Sequence, residues 1–186
     1  MPKVTIKIKV IMVYHFVILS DEVDSFRREI EIDAEATFLD FHNIIMKTCK
    51  YQSDEMSSFF LCESDWTKAT EITLLDMNED PTRESGLIME KCHLDDYIKE
   101  EKAKLMYCFD ILGDRYLYIQ LKGIQVKAHK LQPEVTLSKG VAPEQKTDLD
   151  SIFAEGPDLY GSDDYDPEEL DLEGYQDLDD IEGGGY

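Results

Sequence analysis

The chain has 186 residues, 41 of them acidic and 19 basic, for a formal net charge of −22 at pH 7. Fifteen of the acids fall in the last forty residues, Thr147 to Tyr186, which hold no Lys, Arg or His. Such a chain repels phosphate backbones and anionic lipid and attracts basic surfaces, which excludes direct nucleic-acid binding and membrane association as expectations.

Read in chain order, Lys3 to Val10 alternates polar and apolar residues, and the run then stays apolar to Leu19. That pattern predicts one long strand, half exposed at its start and covered on both faces later. Asp21 to Ser25 reads as a turn, and Phe26 to Ile32 alternates again as a second strand. Thr37 with Asp40 three residues on resembles a capping box, and Phe38, Phe41, His42, Ile45 and Cys49 follow at helical spacing. A helix from Phe38 to Lys50 is predicted. Ser58 to Cys62 and Glu71 to Met77 read as short strands, Asn78 to Ser85 as a loop containing Pro81, and Leu94 to Glu101 as a short helix. Lys104 to Phe109 and Arg115 to Leu121 form a hairpin in which Gly113 is expected to supply the backbone freedom of a tight reversal. A last edge strand is expected near Val126 or Val135. The order describes an α+β domain over residues 1–146: one mixed or antiparallel sheet, β-grasp-like, with a helix packed on one face.

Residues 1–146 contain all 19 basic side chains and match the size of one domain. A body that large buries enough surface to stand without a metal or disulfide staple. Cys49, Cys62, Cys92 and Cys108 show no metal-ligand spacing, and Cys92 and His93, as neighbours on a strand, would point to opposite faces, so no metal or cofactor is expected. Free buried thiols fit a reducing cytoplasm. The apolar run Val10 to Leu19 is too short to span a bilayer, and Ser20-Asp21-Glu22 after it is unlike a signal cleavage site.

Few residues carry chemistry. His42 on the apolar helix face reads first as a core histidine bonded to a backbone carbonyl, and second as a pocket residue. Asp110 and Asp114 flank the hairpin turn, where carboxylates accept from nearby amides. Trp66 follows three polar residues and reads as a lid over the core edge before a binding platform. No phosphate loop, zinc-protease or serine-hydrolase motif is present, so an enzyme reading has no positive support.

Residues 147–186 form a second region, too charged to offset the entropy of ordering, and are expected to be disordered alone. Within them Leu149, Ile152 and Phe153 fall on one side of a helical turn that Thr147-Asp148 would start. Asp166-Pro167-Glu168-Glu169 has the form of a helix N-terminus, with Leu170, Leu172 and Tyr175 as an apolar edge. Acids with spaced apolar anchors suit folding on a basic partner with a hydrophobic groove. A solubilising tail with incidental hydrophobics is the other reading.

Three segments resemble the pRi-plasmid open-reading-frame-three-like family (insertion-element passenger TnpR-like proteins). They are Phe26-Arg27-Arg28-Glu29-Ile30-Glu31-Ile32, Thr37-Phe38-Leu39-Asp40-Phe41-His42-Asn43-Ile44-Ile45, and Tyr107-Cys108-Phe109-Asp110 closing with Ile119-Gln120-Leu121. Gly140-Val141-Ala142-Pro143-Glu144 is a fainter likeness to the family's Pro-Pro-Glu turn. Gly113-Asp114 sits one residue later than in the family pattern, and Arg115 stands where Trp is usual. The resemblance implies a compact α+β fold and no established activity. It also implies Arg28, His42 and Asp110 as the polar cluster to test. The expected function is a non-enzymatic interaction protein whose acidic arm docks on a basic protein or a nucleic-acid-binding machine. The alternative is a small-molecule-binding or catalytic domain built on Arg28, His42 and Asp110.

Overall fold

A computed structural model describes residues 11–53, 55–76, 86–127 and 132–146. The chain divides into two units, Met1–Thr147 and Asp148–Tyr186, and the second lies outside the described residues. Among the described residues nine elements follow in order: β1 (Ile11–Ser20), β2 (Arg27–Asp33), α1 (Phe38–Cys49), β3 (Ser58–Cys62), β4 (Lys68–Thr73), α2 (Leu94–Tyr97), β5 (Lys104–Asp110), β6 (Arg115–Lys127) and β7 (Glu134–Lys139). The strands form one seven-stranded sheet in the order β4-β3-β5-β6-β1-β2-β7, and each neighbouring pair is antiparallel. The fold is α+β.

Alternation along the strands decides which side chains form the core. Tyr14, Phe16 and Ile18 of β1 join Ile30 and Ile32 of β2, Leu105, Tyr107 and Phe109 of β5, and Leu117, Ile119 and Leu121 of β6 in one buried cluster. Phe38, Phe41, Ile45 and Cys49 of α1 belong to the same cluster. Phe41 stacks on Phe16 of β1 at 4.6 Å between ring centres and on Phe59 of β3 at 5.4 Å. The 3.6-residue period of α1 thus meets the two-residue period of the strands on a shared aromatic layer.

Local chemistry sets the ends of α1. Thr37 Oγ1 accepts from the Asp40 amide at 3.1 Å and Asp40 Oδ2 accepts from the Thr37 amide at 2.9 Å, so both halves of the capping box are made. Lys50 closes the helix in the left-handed region at φ 61°. A glycine would adopt that conformation at lower cost.

Several boundaries differ from the sequence reading. The helix expected to reach Glu101 stops at Tyr97, because Ile98 turns extended and its carbonyl accepts the Tyr14 hydroxyl at 2.7 Å. β4 begins at Lys68, three residues before the expected Glu71, since the hairpin with β3 turns over Glu63–Thr67. β6 continues to Lys127, absorbing a bulge opposite His15 and Phe16, so Val126 extends a strand and Val135 alone marks the new edge strand β7. At the β5–β6 turn the left-handed residue is Asp114 at φ 52°, and Gly113 does not take that role. Aspartate tolerates this region better than most residues. Residues before Ile11 in the expected first strand, and the loop from Asn78 to Ser85, lie outside the described residues.

Candidate functional site

Arg28, His42 and Asp110 reach the first unit's interior from three elements and enter three separate hydrogen-bonding sets. Arg28 is 4% exposed. It faces the core side of β2 and donates through Nε to Thr48 Oγ1 on α1 at 3.1 Å. Its two terminal nitrogens donate to the carbonyls of Arg27, Lys139 and Gly140 at 3.0, 2.7 and 3.1 Å. The guanidinium also lies 4.6 Å from the centre of the Phe26 ring. One planar fork therefore ties β2, the end of α1 and the end of β7 together, a geometry that lysine does not offer. Gly140 allows the approach: at φ +69° it passes so close to the segment leading into β2 that a Cβ there would sit 2.4 Å from the Ser25 carbonyl oxygen.

His42 meets side chains where a backbone carbonyl was expected. Its Nδ1 lies 2.9 Å from the Tyr107 hydroxyl and 3.3 Å from Ser57 Oγ. Burial lowers the imidazole pKa, which keeps the ring neutral at physiological pH. Tyr107, fully buried, has its phenol pKa raised chiefly by desolvation.

Asp110 takes the turn role read from the sequence. Its Oδ1 accepts the Gly113 amide at 2.9 Å, and its Oδ2 lies 3.4 Å from Arg115 Nη1. Arg115 reaches further, to both carboxylate oxygens of Glu22 at 2.8 and 2.6 Å, and its guanidinium sits 4.9 Å from the centre of the Phe109 ring. The Glu22 hydrogen bond holds the Arg115 guanidinium charged. Asp114 accepts the Tyr116 hydroxyl.

Cys49 and Tyr51 were not singled out as site residues from the sequence. Burial pushes the Cys49 thiol up to about 12, against a smaller opposing effect of the Arg28 charge. The Tyr51 ring tilts on Phe109 at 5.3 Å, and its buried hydroxyl has no hydrogen-bond partner among the described residues. Desolvation raises its pKa as well. A groove of about 320 Å³ runs beside them, walled by Lys50, Gln52 and residues 142–146. Across it Gln145 exchanges two hydrogen bonds with the Gln52 main chain, at 2.6 and 2.7 Å. Chemically the region holds protonated thiol and phenols beside a neutral imidazole. Burial disfavours the anions of the Cys49 thiol and of the Tyr51 and Tyr107 phenols.

Trp66 departs from its expected place as a lid over the core edge. It sits in the β3–β4 turn at φ 72°, edge-on to Tyr118 at 5.2 Å, with the Lys104 ammonium 4.7 Å from its ring centre. Tyr118 pairs opposite Met106, and both lie outside the buried cluster that holds the α1 side chains. Ser57 and Arg115 gave no sequence signal of their own, while Tyr107 opens a motif that is visible in the sequence. Leu149, Ile152, Phe153, Leu170, Leu172 and Tyr175 lie outside the described residues. No helix among the described residues is long and apolar enough to cross a membrane.

A comparison with curated proteins finds no match. Among solved structures, the fold is similar to that of a protein of unknown function from Methanosarcina mazei Go1, with a TM-score of 0.57 and 22% identity over 72% of each chain. At that identity the likeness speaks for the fold alone. The sequence matches the plasmid pRiA4b ORF-3-like proteins over residues 13–177, which include β1 but for its first two residues, β2 to β7, and most of the acidic segment. The chain belongs to the plasmid pRiA4b ORF-3-like family.

Proposed function

We propose that the protein works by binding other proteins, with residues 147–186 as an arm that docks on a basic partner. The observation that carries this reading is the arm's composition, fifteen acids and no base, set with Leu149, Ile152, Phe153, Leu170, Leu172 and Tyr175. Charge of one sign steers the encounter, and the apolar residues supply contacts that hold the complex. The partner is a basic protein, including the basic surface of a nucleic-acid-binding machine, for which the arm competes with phosphate. The free thiols of Cys49, Cys62, Cys92 and Cys108 fit a cytoplasmic setting.

The rival reading, a ligand or catalytic site on Arg28, His42 and Asp110, has weaker support. Each of those side chains is buried and engaged with its own local partners, so their polar atoms do not converge on one open cavity. Affinity capture at low and at high salt, with the full chain and with a chain ending at Lys146, tests the proposal. Partners retained by the full chain at low salt and lost by the shorter chain are the expected result. An identical set retained by both chains would remove the arm from the account.

A further inference from the structure

The tip of the β5–β6 hairpin is unusual for a turn. Its residues Ile111 and Leu112 are 49% and 79% exposed, where a solvent-facing tip ordinarily carries small or polar side chains. Nothing in the fold requires them, because the tip is built by its neighbours. Asp110 accepts the Gly113 amide and receives Arg115, which is itself anchored on Glu22. The two aliphatic side chains are thus held out by a rigid, hydrogen-bonded base.

They wall a cavity of about 560 Å³, whose other sides are Glu55, Met56, Glu71 and Thr73. The lining combines aliphatic and thioether surface with two carboxylates at the rim. Glu55 already takes a cation, the Lys146 ammonium at 2.9 Å. Glu71 is exposed on β4 and forms no ion pair with the described lysines and arginines. β4 also ends the sheet, and on its outer side Thr73 meets residues 87–89, through the bridge to Ile88, main-chain bonds to Leu87 and Met89, and its hydroxyl on the Leu87 carbonyl. Sheet edges of this kind accept an added extended segment.

We infer that this groove is a docking site for an extended basic segment carrying an aliphatic or aromatic anchor. The anchor enters between Leu112, Ile111 and Met56, while a Lys or Arg beside it meets Glu71. Charge complementarity selects this occupant: an acidic segment would be repelled by Glu71, and a purely apolar one would leave that carboxylate without a counter-charge, since Glu55 already has Lys146. The methionine suits the site, since its unbranched side chain adapts to more than one anchor. This surface belongs to the folded unit and does not depend on the acidic arm. The two stand or fall separately.

The test is a titration of the full-length protein with a short synthetic peptide alternating lysine and leucine, read on the methyl NMR signals of Met56, Ile111 and Leu112. A lysine–serine peptide serves as the charge control, and ionic strength is kept above about 0.15 M to screen the arm. Saturable shifts of the three methyl signals with the lysine–leucine peptide are expected, and weaker ones with lysine–serine. Leu112→Ser, a change at an exposed position that spares the fold, should weaken binding about tenfold, and Glu71→Lys should weaken it as well. Ile152→Ser with Phe153→Ser should leave these shifts in place. Unmoved Met56 and Leu112 signals, or equal binding of both peptides, would overturn the groove and leave the arm proposal untouched. So would unchanged affinity in Leu112→Ser.

Discussion

The Tyr107 hydroxyl lies 2.9 Å from His42 Nδ1, joining the middle of β5 to α1 inside the core. Ser57 Oγ approaches the same nitrogen at 3.3 Å from the residue before β3. Removing the hydroxyl leaves the imidazole with one weaker partner. Tyr107→Phe should lower stability by about 1–3 kcal/mol, the range for a buried polar group deprived of its bond. Urea unfolding checks this, with the midpoint expected to fall and the slope to hold.

His42 also predicts a pH dependence. Burial depresses its folded-state pKa below the ordinary 6.5, so the unfolded chain takes up the proton first. This contribution to stability is present above pH 6.5 and is lost as pH falls from there toward the folded-state value. His42→Gln keeps an acceptor for Tyr107 and cannot titrate. The difference in unfolding free energy between parent and variant should change across pH 7 to about 5, where histidine titrates. A constant difference across that range would show that the imidazole titrates alike in both states.

Arg28 and Gly140 make one latch, and their substitutions should not add. Arg28→Lys loses the fork that spans Thr48, Lys139 and Gly140, at a cost of about 2–3 kcal/mol. Gly140→Ala places a methyl against the Ser25 carbonyl in a left-handed conformation, costing about 1–3 kcal/mol. Once either change frees the end of β7, the other has less to disrupt. A double variant that loses less than the two single losses together supports the latch, and strict additivity in a double-mutant cycle argues against it.

The sequence carried most of what is local. Thr37 and Asp40 announced the start of α1, and the spacing of Phe38, Phe41, His42, Ile45 and Cys49 its buried face. Strand alternation likewise marked Phe26 to Ile32 as a strand, and Ile30 and Ile32 lie in the core. The three candidate polar residues are all buried. Their partners were not legible, because they come from distant segments: Arg28 bonds carbonyls more than a hundred residues away, and a carbonyl leaves no trace in residue type. The early end of α2 has the same origin, since the Tyr14 hydroxyl claims the Ile98 carbonyl from 84 residues away.

Ending the chain after Lys146 should leave the melting temperature nearly unchanged, or raise it slightly by relieving repulsion among acids. The core cluster and the Lys146–Glu55 pair both fall inside what remains. Calorimetry of the two chains decides the matter. A cooperative loss of structure in the shorter chain would mean that residues 147–186 are part of the fold.

The most direct measurement of the arm's role is the binding kinetics of the Ile152→Ser, Phe153→Ser double variant with a captured basic partner, followed over a range of salt. The account predicts a dissociation rate raised about tenfold, with the association rate and its salt dependence close to the parent's. Neutralising several acids of the arm should do the reverse, slowing association and flattening its salt dependence. A serine variant that binds as well as the parent at every salt concentration would contradict the account and leave residues 147–186 as a charged brush.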